Sequence, residues 1–353
     1  MTASPAIAAG FESQADACDE LGSPFTAKLC RLTAARLSGT DGPVPSLIMT
    51  WPQDRIGPDA LALRFCGALH ALKRRGYGPL AAVYPPENMP DDQLWQAVAK
   101  AMAEEAPFIT QRMQSAPQTN EVRRSAAMFP AFAYIAARFP GRDLVLSEVG
   151  ASAGLNLMWD RYGYRLGDRH FPPAAGEAPF EIAPDWTGPL PPEATITVSE
   201  RAGCDLNPLN AADRDDCERL LSYIWADQAG RLERTEKALA LARATGVTVE
   251  KADAVEWLGE RLAASRPGKV HIVYHTIAWQ YLPFEARAEG ERLLAEAGGR
   301  ADDNAPLCHL AMEADEERPG AGLTLTVWPG GETLKLGRAD FHGRWIDWRG
   351  PTQ

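Results

Sequence analysis

The chain lacks the residue patterns that mark several common chemistries. Its six histidines are scattered, no His-Glu-x-x-His occurs, and there is no acidic loop of the calcium-binding kind. No metal site is therefore expected on the usual zinc or calcium frameworks. The six cysteines (Cys18, Cys30, Cys66, Cys204, Cys217 and Cys308) form no Cys-x-x-Cys pair. That spacing excludes a cysteine metal site and points to a reduced, intracellular protein. No apolar run reaches the roughly 18 residues that a membrane span needs, and residues 1–7 do not open a signal peptide. The expectation is a cytoplasmic protein without a membrane partner. A basic surplus is missing as well, since the net charge is -11. Residues 1–140 carry 13 basic and 13 acidic side chains, so the remainder holds the whole deficit. The one short basic run, Lys73-Arg74-Arg75, reads as a solvated helix end suited to the helix dipole. A broad phosphate-binding face for nucleic acid is thereby excluded.

What is present suits one large domain with an appendage, or two domains, in 353 residues of which 45% are hydrophobic. The first 140 residues read as helical. Phe25, Leu29, Leu32 and Leu37 share one face. A second helix is expected to open at Gly57-Pro58-Asp59 and stop at Gly76, and a third opens at Pro90-Asp91-Asp92. A fourth covers 121–139 and is expected to be kinked or broken at Pro130. Strand-like runs then follow at 144–149, 196–199, 247–249, 270–276, 307–312, 323–327 and 345–348, with helical patterns between most of them. This alternation predicts an α/β fold with a Rossmann-like, mostly parallel sheet. The last two runs, joined through Pro329-Gly330-Gly331, are expected to close the sheet as an antiparallel pair. The expected domains are a helical cap over 1–140 and a cofactor domain over 141–353. Within the latter, the Pro- and Gly-rich segment 162–194 is an insertion or lid.

The most informative stretch is Leu144-Val-Leu-Ser-Glu148-Val-Gly150-Ala151-Ser152-Ala-Gly154-Leu-Asn156. It reads as a strand, a glycine turn and a helix start, a geometry that offers bare backbone N–H groups to a ligand. Gly150-Ala-Ser152-Ala-Gly154 also satisfies the nucleophile elbow of serine hydrolases. The region upstream looks helical, however, and supplies no strand loop for an oxyanion hole. A dinucleotide fingerprint is not met, because Ser152 and Leu155 stand where glycines are required.

A third reading accounts for more of the chain. Class I methyltransferases, which bind S-adenosylmethionine, place acids at the ends of successive strands, and this chain resembles them. Glu148, Gly150, Ala151, Ser152, Gly154 and Asn156 would form the first cofactor loop. Asp205, with Glu200 as the alternative, would hold the ribose, and Asp253 would meet the adenine. Thr276 and Trp279 follow the fourth strand, and His275 there is the candidate general base. Trp279 and Tyr281 offer aromatic faces to a sulfonium. Asn120, Glu121, Arg124, Gln280 and Tyr281 are the candidate contacts for a small-molecule or protein acceptor. The same residues also fit a non-catalytic module that holds an adenosine-like ligand.

Several stretches together resemble an uncharacterised bacterial family of unknown function (DUF2332-like). They are His70-Ala-Leu, Thr119-Asn120-Glu121-Val-Arg-Arg124-Ser, Gly150 to Tyr162, Gly203-Cys-Asp205-Leu-Asn207-Pro208 and His275-Thr-x-x-Trp279-Gln280-Tyr281. The resemblance runs over nearly the whole length. By analogy it implies a methyltransferase-like fold and leaves the activity open.

Overall fold

Proline placement opens many of the helices. It stands in the first turn of the helices Pro24–Arg36, Pro43–Met49, Gly78–Ala81 and Ala106–Met113, where a missing N–H costs nothing. The computed structural model describes residues 5–352; residues 1–4 of the signal-peptide reading and residue 353 of the second expected domain lie outside them. In chain order come α1 (Pro5–Glu20), α2 (Pro24–Arg36), α3 (Pro43–Met49), α4 (Leu61–Arg74), α5 (Gly78–Ala81), α6 (Asp91–Glu104), α7 (Ala106–Met113) and α8 (Ser125–Arg138). The expected start of α4 at Gly57 is corrected. Residues 57–60 form turns, and Ala60, in the left-handed region at φ 52°, delays the helix to Leu61.

The strands are β1 (Asp143–Val149), β2 (Gly163–Leu166), β3 (Arg169–Phe171), β4 (Glu181–Ile182), β5 (Asp185–Thr187), β6 (Val198–Asp205), β7 (Glu250–Lys251), β8 (Lys269–Thr276), β9 (Leu307–Glu313), β10 (Ala321–Trp328), β11 (Glu332–Ala339) and β12 (Trp345–Thr352). Among them lie α9 (Arg214–Ser222), α10 (Ala229–Thr245), α11 (Ala254–Leu262) and α12 (Phe284–Arg300).

Two compact units result. The first comprises Met1–Thr119 with Arg214–Glu236, and the second Asn120–Asp213 with Lys237–Gln353. The boundary expected at residue 140 falls inside the second unit, which also holds α8. The first unit is all helical, with one apolar core running from Ile7 and Phe11 through Phe65 and Leu69 to Met113 and Trp225. Among the described residues, no helix is long and apolar enough to cross a membrane. All six cysteines are buried free thiols.

The second unit is α/β. Its nine-stranded sheet has the order β5-β12-β11-β10-β9-β8-β1-β6-β7. The run from β7 to β9 is parallel, and β9 to β12 form an antiparallel meander. The expected antiparallel pair is thus corrected. Pro329-Gly330-Gly331 turns β10 into β11, whose alternating Leu334 and Leu336 bury one face, and residues 345–348 belong to β12 beyond it. Two further expectations shift. The strand at 196–199 begins at Val198 and runs on to Asp205, while 247–249 is irregular and only Glu250–Lys251 pair.

Alternation along each strand sends successive side chains to opposite faces. On one face, Val149, Cys204 and Val273 meet Trp257 and Leu258 of α11 and Leu294 of α12. On the other, Phe132 of α8 stacks on Trp159 with centroids 4.0 Å apart, and Tyr274 meets the edge of Phe132 at 5.3 Å. The insertion does not form a free lid. It makes a small sheet, β3-β2-β4, and lends β5 to the outer edge of the main one.

Candidate functional site

Strand order reverses at β1, which has β6 on one side and β8 on the other. In open α/β sheets, ligands bind outside the carboxyl ends of the strands at such a switch point. Three described non-glycine residues lie at positive φ, and two of them, Ser152 (54°) and Ile277 (50°), stand in the loops that follow β1 and β8. Backbone held in this region costs on the order of 1–3 kcal/mol and persists only where surrounding bonds enforce it.

Here they do. The Ser152 N–H donates to Asp205 Oδ2 at 3.0 Å, and its carbonyl accepts from the Leu209 N–H at 3.1 Å. The Ile277 N–H donates to the Met312 carbonyl at 2.8 Å. The Gly150 and Ala151 N–H groups both reach the Cys204 carbonyl, Gly154 donates to Ala151, and Leu155 donates to Asn120 Oδ1. The expectation of bare N–H groups on this turn is therefore corrected. Because β6 extends to Asp205, the Cys204 carbonyl and the Asp205 carboxylate lie beside the turn and engage its donors. The following segment is a 3-10 helix, Leu155–Arg161, with residues 155–160 buried, so no α-helix N-terminus directly follows this turn.

Beneath the turn lies a polar cluster. Glu148 is 1% exposed. Burial pushes its carboxyl well above the usual range; the Tyr274 hydroxyl and Arg124 pull it back, and Asp205 adds to the rise. Tyr274 donates toward Glu148 Oε2 at 3.2 Å and the Asn156 carbonyl at 3.3 Å. Two buried acceptors nearby, Ser152 Oγ and Asn156 Oδ1, have no hydrogen-bond partner among the described residues. Among the described residues, no histidine is hydrogen-bonded to Ser152 Oγ.

The residues of the 120–124 segment converge on the same loops. Asn120 braces Leu155, and the Glu121 carboxylate accepts from the Arg123 N–H at 3.0 Å. Arg124 donates to the Thr276 carbonyl at 3.1 Å and the Phe341 carbonyl at 2.8 Å. Asp205, at the carboxyl end of β6, accepts from the Ser152 and Asn207 N–H groups. Glu200 lies near the start of β6 and is paired with Arg261 at 2.6 Å, which removes it from this edge. Asp253 follows β7 and caps α11 with Oδ1, which accepts from Val255 and Glu256.

His275 is 1% exposed, and both ring nitrogens are engaged. Nδ1 lies 2.7 Å from Glu313 Oε1 and Nε2 lies 2.9 Å from His309 Nε2. Glu313 also accepts from the Ala278, Trp279 and Gln280 N–H groups at 2.9, 3.0 and 3.3 Å. Burial raises the Glu313 carboxyl, but its bonds to His275 and to those amides outweigh it, and the acid is held below the usual carboxylate range. Trp279 is buried and stacks on His275 at 4.8 Å, while Tyr281 is 75% exposed. Glu313 did not stand out in the sequence. The signal lies in sheet register, where β8 pairs with β9 and Thr276 faces Met312.

A cavity of about 470 Å³ lies under the insertion, walled by Phe129, Tyr164, Phe171 and the 192–196 segment that leads into β6. It therefore sits at the opposite end of β6 from Asp205.

The turn is tightly fitted. A Cβ at Gly150 would approach Ala278 Cβ to 2.5 Å, at φ 72°. Gly150→Ala is expected to cost roughly 2–4 kcal/mol, from left-handed strain plus overpacking. Adding Ala278→Gly should return the overpacking part alone. Urea unfolding of the single and double variants checks this, and a cost below about 0.5 kcal/mol, the range of surface changes, would show a loose contact.

No curated protein and no solved structure matches the chain. A model of the family described as "Uncharacterized protein conserved in bacteria (DUF2332)" matches residues 8–348, and the chain belongs to that family.

Proposed function

We propose that this protein is an S-adenosylmethionine-dependent methyltransferase, acting on a small-molecule or protein acceptor, with its cofactor at the carboxyl edge of β7, β6, β1 and β8. The observation that carries the reading is the series of acids at that edge: Glu148 near the end of β1, Asp205 ending the neighbouring β6, and Asp253 just past the next strand, β7. The residues suit the cofactor's chemistry. Asp253 Oδ2 carries no hydrogen bond among the described residues and would accept from an amino group. Leu206, 59% exposed beside Asp205, offers an apolar face for a base. Ser152 Oγ and Asn156 Oδ1 are unmet acceptors for an ammonium. Exposed Tyr281 would flank a sulfonium, whereas Trp279, the other aromatic expected there, is buried. When bound, S-adenosylmethionine supplies the methyl group. A proton released by the acceptor would be relayed through His309 to His275, with Glu313 balancing the charge. The six free thiols support a reducing compartment, the cytoplasm.

The engagement of both His275 nitrogens favours a second reading, a module that binds an adenosine-like ligand without turnover. Calorimetry with S-adenosylmethionine and S-adenosylhomocysteine tests both. Micromolar binding is expected, weakened at least about tenfold, or about 1.4 kcal/mol, by Asp205→Ala and by the surface change Leu206→Glu. A flat titration at millimolar ligand would remove the proposal. Binding without methyl transfer to any acceptor fraction selects the module. Labelling of Ser152 by a fluorophosphonate would reinstate a hydrolase.

A further inference from the structure

The first unit contains a cavity of about 670 Å³ whose wall carries five arginines and three acids, in a chain whose net charge is -11. It joins the end of α4 (Arg74, Arg75), α7 (Arg112) and α9 (Arg214, Arg219). The arginines differ in their surroundings. Arg74 is neutralised, with Glu218 at 2.9 Å and Glu236 at 3.2 Å. Arg75, Arg112 and Arg219 form no ion pair among the described residues. Arg75 lies over the Phe108 ring at 4.8 Å. Arg112 donates one bond, to Ser222 Oγ at 2.8 Å, and its Nε is buried without a partner. The Arg219 Nε is likewise buried and unmet.

Three guanidiniums gathered without an ion-pair partner among the described residues, two of them with an unmet donor, are an unfavourable arrangement for the protein alone. Burial pulls the Arg112 guanidinium below its ordinary range; Arg219 and Arg75 push the same way, while Tyr223 and Asp215 oppose them. An anion with several acceptor oxygens removes this conflict.

We propose that this cavity binds a small molecule through a phosphate group, with Arg75, Arg112 and Arg219 as its ligands and Phe108 beside the remainder. The volume lies within the range of small-ligand sites. The acids set the limit of charge. Asp215 and Asp216 stand in the first turn of α9, on the cavity wall, and repel any extended polyanion such as nucleic acid. The run Lys73-Arg74-Arg75 is thus more than a solvated helix end, because Arg74 and Arg75 line this wall.

The test is calorimetry on the full chain with inorganic phosphate and ribose 5-phosphate at constant ionic strength. Saturable one-site binding is expected, with ribose 5-phosphate the tighter of the two. Arg219→Gln should weaken it at least tenfold, Arg75→Gln several-fold, and Asp215→Asn should tighten it. Arg112→Gln should abolish it; because Arg112 also holds Ser222, the surface variant Arg75→Gln decides if that protein fails to fold. No saturation up to about 10 mM, well past weak millimolar affinity, would overturn the proposal. So would affinities unchanged in Arg75→Gln and Arg219→Gln, or binding by a single-stranded oligonucleotide alone.

Discussion

Glu313→Ala is expected to destabilise the second unit by roughly 3–5 kcal/mol, the usual cost of breaking a buried ion-paired or hydrogen-bonded network by removing one member. The carboxylate accepts from His275 and from three successive backbone N–H groups. Alanine leaves all four donors without it, in a loop that already holds Ile277 in the left-handed region. The stacking of Trp279 on His275 should loosen with them, so near-ultraviolet circular dichroism ought to change before unfolding begins. Glu313→Gln keeps the shape and loses the charge, and should cost less. The sign of the pH dependence follows from the depressed carboxyl. Its stabilisation is complete above the unfolded value of about 4.3 and disappears as pH falls through the folded one. The gap between wild type and Glu313→Ala should therefore close in acid. A difference in urea unfolding below about 1 kcal/mol at neutral pH, less than one ordinary hydrogen-bond deletion, would make Glu313 a bystander.

Acid itself should destabilise the second unit steeply. Burial, reinforced by Arg261 and Arg266, draws His271 down to about 3, and burial beside His275 draws His309 down to about 3. Both stay neutral in the native state, whereas the unfolded chain takes up a proton at each near pH 6.5. Their contribution is full above that value and is lost as pH falls toward 3. Glu148 acts in the opposite sense, because its raised carboxyl keeps a proton that the unfolded chain releases above about 4.3. Between these limits the two histidines take up protons on unfolding while Glu148 opposes them, so stability falls as the pH drops below about 6.5. Below about pH 4.3 the opposition from Glu148 ends, Glu313 begins to add to the loss, and the slope should steepen. Urea midpoints from pH 7 to 3.5 check the shape. His271→Gln should flatten the curve by about one proton, and a level profile from pH 7 to 4.5 would contradict the neutral, buried histidines.

Much of this was legible where one residue class dominates a window. The apolar run before Gly150 announced β1, and Pro90-Asp91-Asp92 announced α6. β6 was harder to read, because Glu200, Arg201 and Asp205 interrupt it. It exists because Arg261 and Asp160 neutralise the first two, partners far away in the chain. β11 showed its alternation in Thr333-Leu334-Lys335-Leu336 but was masked by the glycines around it. At the site, sequence named the acids and the His275 loop. It had no means of naming Glu313, which meets His275 only through strand register, nor of seeing that the turn's donors would be engaged by the end of β6.

The return of residues 214–236 to the first unit also sets an order of assembly on the ribosome. By residue 236 the helical unit has every segment it needs. At that moment β1 has β6 as a neighbour, while β8, its partner on the other side, has not been synthesised. The nascent sheet thus waits with an open edge while the helical unit is already whole, a state that favours unwanted pairing. For heterologous production this predicts that truncation anywhere between 237 and 269 yields an insoluble sheet fragment attached to a folded helical body. A shortened chain joining 5–119 to 214–236 through a linker is the soluble piece to make.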